Sequence, residues 1–208
     1  MNRQFVRLSL GLFASVFCAA PAFAHHVMGG RTPATFMEGV LSGLGHPVIG
    51  IDHLAAVVAV GCLAAAHRSA PALAIAFVVV MMGGVALHVQ GTSVPGAEIL
   101  AALTVLALGA LLVRRSDMPA GIALALFAVT GAIHGYALGE SIYGAEPTPL
   151  YAYLLGLTVI QATIALAAAH VTRVLMRRSV GLSPLRLVGA GIAGIGLAVL
   201  AQQVIPGA

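Results

Sequence analysis

Apolar residues run in six long blocks along the chain, at about 47 to 66, 71 to 90, 97 to 113, 119 to 138, 150 to 171 and 187 to 205, separated by short segments rich in Pro, Gly and Arg. At about 1.5 Å per residue, blocks of this length cross a hydrocarbon core of roughly 30 Å as helices. Pro47, Pro71, Pro119 and Pro149 fall at or just before the expected helix starts, where a missing N–H is harmless. An amphipathic stretch from Thr35 to Leu44 precedes the first block and is expected at the membrane interface. Ahead of it, Arg3 and Arg7, the apolar run Leu8 to Ala20 and the triplet Ala22-Phe23-Ala24 have the form of a secretory signal with an A-x-A cleavage site. The apolar run is too short for a span, so cleavage is favoured over an uncleaved first helix. The predicted fold is therefore all-α: a signal peptide over 1–24, then a polytopic membrane bundle of six transmembrane helices over 25–208.

Composition agrees with this pattern. Of the 208 residues, 60% are hydrophobic and 8% charged, against roughly 25% charged in a soluble domain. So few charges cannot coat a surface that faces water on all sides, and nucleic-acid binding is excluded along with solubility. The net charge of +4 comes from arginine, because the chain has no lysine; lysine Schiff bases, retinal and pyridoxal included, are thereby excluded. Cys18 lies in the expected signal peptide and leaves Cys62 alone, so no disulfide framework exists.

Orientation follows from a separate signal. Cleavage places the mature N-terminus outside, which makes the loops near 67 to 70, 114 to 118 and 172 to 186 cytoplasmic. Those loops carry Arg68, Arg114, Arg115, Arg173, Arg177, Arg178 and Arg186, and only Arg31 of the mature arginines lies outside, in accord with the positive-inside rule. Both mature ends are expected in the periplasm, with the chain in the inner membrane. Pairs such as Gly189-Ala190-Gly191 and Gly194-Ile195-Gly196 are expected to let helix backbones approach closely.

Against that frame, several ionisable residues stand where lipid should exclude them. His46, Asp52 and His53 enter the first span, His88 ends the second, Glu98 begins the third, and His134 and Glu140 close the fourth; all belong to the outer half. A buried carboxylate or imidazole costs a few kcal/mol on insertion scales, so it faces the bundle interior and has a partner. Imidazoles and carboxylates at one depth satisfy each other around a cation, and this donor set suits nickel, cobalt or zinc better than copper(I). On a helix, His46, Gly50 and His53 share a face, yet the two rings stand far apart. Either the helix opens near Pro47 and Gly50 or the histidines serve successive stations. Asp52 binds directly or anchors a neighbouring ring. After cleavage His25-His26 would offer an α-amine, a backbone nitrogen and the His26 imidazole to square-planar nickel, or simply be two exposed polar residues. His88 can equally hydrogen-bond a carbonyl, Glu98 and Glu140 can be helix-end charges, and Gln161, at mid-depth in the fifth span, is either packing glue between helices or a relay ligand.

The run Phe36-x-x-Gly39, His46-Pro47-x-x-Gly50-x-Asp52-His53, ending at Val60-Gly61, resembles the HupE/UreJ family of hydrogenase and urease accessory membrane proteins, which are regarded as nickel permeases. The resemblance continues with Pro95-x-x-Glu98 and with His134-Gly135-x-Ala137-x-Gly139-Glu140, and covers essentially the whole chain. It implies a metal path through His46, Asp52, His53, His134 and Glu140, with His88 outside its motifs. It also implies a transported nickel or cobalt ion rather than a tightly bound cofactor, and a hydrogenase or urease maturation system as partner beside the lipid bilayer. Two positions depart from the family pattern: Leu138 replaces a second histidine in the fourth span, and Val57 stands near a usual methionine. The first change removes a nitrogen and points from nickel toward cobalt or toward weaker binding.

The expected function is a non-enzymatic secondary permease for a divalent transition metal. The chain has no Gly-x-x-x-x-Gly-Lys-Ser/Thr loop for ATP. Two other classes stay open at this point: a haem-binding electron carrier with axial histidines drawn from His53, His88 and His134, and a non-transporting accessory or scaffold protein for metalloenzyme maturation.

Overall fold

A computed structural model describes residues 31–114, 118–177 and 183–205. The expected signal peptide and the His25-His26 pair lie outside the described residues, as do Arg115 and Arg178. The described chain is helical: α1 (Phe36–Ile49), α2 (Ile51–Ala64), α3 (Ala70–Val89), α4 (Ala97–Arg114), α5 (Ala120–Gly139) followed by a 3₁₀ turn (Glu140–Ile142), α6 (Pro147–Arg177) and α7 (Ser183–Val204). Five of these, α3 to α7, are long and apolar enough to cross a membrane. A sixth candidate span is the pair α1 and α2, which passes the same length and apolarity test together and is bent by 78° at Gly50.

The bend corrects two expectations. The stretch from Thr35 does not end as a surface segment at Leu44 but continues as helix to Ile49, and Pro47 lies inside α1 rather than at a helix start. What starts α1 is a capping box. Thr35 Oγ1 accepts from the Glu38 N–H at 3.2 Å, while Glu38 Oε2 accepts from the Thr35 N–H at 3.1 Å. A proline in the last turn removes one i→i−4 bond, and the helix ends two residues later at Ile49.

Helices that are apolar on every side cannot be ordered by an amphipathic stripe; close backbone approach orders them instead. At Gly135 of α5 a Cβ would overlap the Met81 carbonyl oxygen of α3, so these two helices touch main chain to main chain. Along α6, α1 packs beside Pro149 to Leu157 and α2 beside Ala165 and Ala168. The small-residue expectation for α7 holds at a heptad spacing: Gly189 and Gly196 lie against Leu112 and Leu106 of α4, whereas Gly191 and Gly194 have open space where a Cβ would be. Large apolar side chains such as Leu187, Tyr151 and Val79 stay exposed on the outside, where lipid is their solvent.

Charge separates by end. The starts of α1, α2, α4 and α6 and the end of α5 hold Glu38, Asp52, Glu98, Glu146 and Glu140, while the ends of α4 and α6, the α2–α3 turn and the start of α7 hold Arg114, Arg173, Arg177, Arg68 and Arg186. At the arginine end Arg173 ties α6 to the α2–α3 turn by donating to the carbonyls of Ala65, His67 and Arg68.

Candidate metal centre

The bend at Gly50 creates two helix ends inside the protein. The last carbonyls of α1 and the first N–H groups of α2 lack intrahelical partners there, so the negative end of one helix dipole and the positive end of another meet beside His46, Asp52 and His53. An N-terminus favours a carboxylate, and Asp52 occupies the first turn of α2; a C-terminus favours a cation, and His46 occupies the last turn of α1. Broken helices whose ends face an ion are a recurrent solution for substrate sites in transporters. Gly50 is required sterically, since a Cβ would stand 2.8 Å from His53 Cδ2 and 3.3 Å from the His46 carbonyl oxygen.

The bend also resolves the spacing problem. His46 and His53 come together with ring centroids 6.0 Å apart, and His134 of α5 stacks edge-on against His53 at 5.1 Å. His53 Nδ1 and His134 Nδ1 are 2.8 Å apart, and Asp52 Oδ2 lies 3.9 Å from His53 Nδ1. One ligand atom each from Asp52, His53 and His134 falls within a common 4.8 Å. All four residues are buried, His134 completely.

The hydrogen-bond network fixes which nitrogens can bind. Thr104 Oγ1 uses its single hydrogen on the Ala101 carbonyl at 2.7 Å, so in its 2.9 Å bond to His134 Nε2 the ring must donate. His134 Nδ1 is then the bare lone pair, and it accepts the His53 Nδ1 proton. A divalent ion held by both rings would take the place of that proton. Two ligands at roughly 2.1 Å from one ion stand about 3 to 3.4 Å apart, so a small separation of the hydrogen-bonded pair would admit an ion between them. Two neutral imidazoles and one carboxylate leave a bound divalent ion with net charge +1, a donor set from which an ion can depart.

Sequence reasoning missed Thr104. It lies two turns into α4 with nothing in its spacing to mark it; only the fold carries its hydroxyl to His134. A partner that orients a metal-binding histidine typically contributes 10–100-fold to affinity. We therefore expect Thr104→Val to weaken nickel binding by about that factor, and Thr104→Ser to retain wild-type affinity, in isothermal titration of the purified protein.

The other candidates are placed elsewhere. His88 packs against the rings of Tyr136 and Tyr143 at 4.6 and 5.7 Å, and Tyr136 in turn bonds the α3–α4 loop at Thr92 and Val94. Glu140 is exposed at the start of the 3₁₀ turn, and Glu98 is half-buried in the first turn of α4. His26 lies outside the described residues. Leu138, at the family's second histidine position, is fully buried, and its carbonyl accepts from Tyr153 at 2.7 Å.

The family described as HupE / UreJ protein matches this chain over residues 13–199. The chain is also similar to "Protein HupE" of Rhizobium leguminosarum bv. viciae, at 32% identity over 185 residues, which cover 88% of this chain and 92% of that protein. No solved structure matches it. With agreement over nearly its whole length, from before the bent helix pair into α7, the chain belongs to the HupE/UreJ family.

Proposed function

We propose that the protein is a secondary permease that carries a divalent transition metal, nickel first and cobalt second, from the periplasm across the inner membrane, for the maturation of a hydrogenase or urease. The observation that carries this reading is the buried Asp52–His53–His134 group at a broken helix, with two imidazole nitrogens 2.8 Å apart. A structural metal site normally closes its coordination shell with tight, charged ligands. Here the protein offers few, nearly neutral ligands in the half of the bundle that carries the carboxylates. Glu98 and Glu140 sit at the mouth of the same half and favour cation entry there. The arginines at the other end support a reading in which that end faces the cytoplasm and the mature N- and C-termini face the periplasm.

The haem reading loses support from the same distance. Axial histidines on opposite faces of one haem hold their nitrogens roughly 4 Å apart with the macrocycle between them, and the rings of His53 and His134 meet directly. Uptake of radiolabelled nickel and cobalt by cells lacking other importers tests the proposal. Saturable accumulation above vector control is expected, with nickel inhibiting cobalt uptake. Equal counts with and without the protein would refute it.

A further inference from the structure

One helical turn inward from the metal centre, toward the arginine end, the bundle buries two polar side chains that make no hydrogen bond among the described residues. Thr130 of α5 and Gln161 of α6 are both completely buried, and neither the Thr130 hydroxyl nor either polar atom of the Gln161 amide has a partner. Unpaired polar groups in a dry interior destabilise a fold. Interhelical glue, the structural role open to a glutamine in lipid, is a hydrogen bond between helices, and Gln161 makes none.

Their depth is the same. Phe127, Thr130, His134 and Leu138 form one buried stripe of α5, so Thr130 stands one turn inside His134. On α6, Leu157, Gln161, Ala165 and Ala169 form another buried stripe. Gly43 of α1 packs against Leu157 and Gly61 of α2 against Ala165. Gln161 lies between these two contacts along α6. α3 packs against both α5 and α6: Thr158 of α6 donates to Met82 of α3, and Gly131 of α5 lies against Phe77 and Met81, which sets both orphaned groups at one level beside α3.

We propose that Thr130 and Gln161 form a second, oxygen-lined station that receives the divalent cation released from Asp52, His53 and His134 and passes it toward the arginine end. The proposal rests on the permease reading above. Conduction needs successive sites that bind firmly enough to accept an ion and weakly enough to lose it. A hydroxyl and an amide carbonyl are neutral oxygen donors, weaker for nickel than imidazole, and they can hold a partly hydrated ion. The carboxylate of Asp52 at the metal centre supplies the compensating charge without a permanent anion at the second station.

Two kinds of variant test this. Thr130→Val and Gln161→Leu keep volume and remove the oxygens. Both are expected to lower nickel uptake at least tenfold at matched membrane abundance, with thermal midpoints equal to or above wild type and one nickel per chain still bound in equilibrium dialysis. Gln161→His places a stronger donor at the station and is expected to raise the stoichiometry from one nickel per chain to two while uptake falls. Wild-type uptake by both Thr130→Val and Gln161→Leu would overturn the proposal, as would a stoichiometry of one in Gln161→His. Should wild type itself take up no nickel, the permease reading falls, and the stoichiometry of Gln161→His alone decides whether the station binds metal.

Discussion

Asp52→Asn is expected to abolish nickel uptake at limiting metal while leaving the protein inserted and at least as stable as wild type. The substitution keeps shape and most hydrogen-bonding capacity and removes one negative charge. Unit charges about 4 Å apart interact by roughly 4 kcal/mol at an effective dielectric of 20, and a divalent ion doubles this before desolvation. A loss of even about 2.7 kcal/mol is a hundredfold fall in affinity, so uptake should drop by that factor or more. Were Asp52 only a packing residue, the opposite order would hold: a neutral amide is easier to bury than an anion, and uptake would be unchanged. His170→Gln is the control, since His170 is exposed near the arginine end of α6 and should transport normally. Radiolabelled uptake at matched membrane abundance reads both variants.

Gly135→Leu should instead remove the protein. A side chain there would drive into the Met81 backbone, and a carbonyl oxygen in a packed helix cannot swing aside as a side-chain tip can. Overpacking costs typically 1–3 kcal/mol when side chains adjust; with main chain opposing it, about 3 kcal/mol or more is expected. The separation of α3 from α5 would also displace His134, the neighbour of Gly135. Gly83→Leu and Gly121→Leu meet nothing within 4 Å and should change stability by less than about 0.5 kcal/mol. Membrane abundance and thermal midpoint in detergent distinguish the three.

Much of this was legible in the sequence because the bilayer imposes simple rules. Span length, arginine asymmetry and the cost of an ionisable residue in lipid are each readable one residue at a time, which is why His46, Asp52, His53 and His134 could be grouped before any fold was known. The bend at Gly50 was legible only as one of two alternatives. Helical periodicity says that His46 and His53 share a face, not whether the helix between them is whole. Thr104 left no trace in the sequence, because an ordinary threonine gains its meaning from the helix it meets. His88 shows the reverse. Its depth suggested the metal layer, but depth is one coordinate, and two tyrosines hold its ring at another angle around the bundle. Gly189 and Gly196 were likewise found with their neighbours Gly191 and Gly194, since composition marks small residues but only packing selects the face that needs them.

The most direct test is X-ray absorption at the nickel edge on purified, nickel-loaded protein, compared with a His53→Asn, His134→Asn double variant at equal loading. Two imidazole nitrogens among oxygen ligands are expected in wild type, and the multiple-scattering signature of imidazole should vanish in the double variant. An oxygen-only shell in wild type, or an imidazole signature that survives loss of both histidines, would contradict a metal centre at the broken helix.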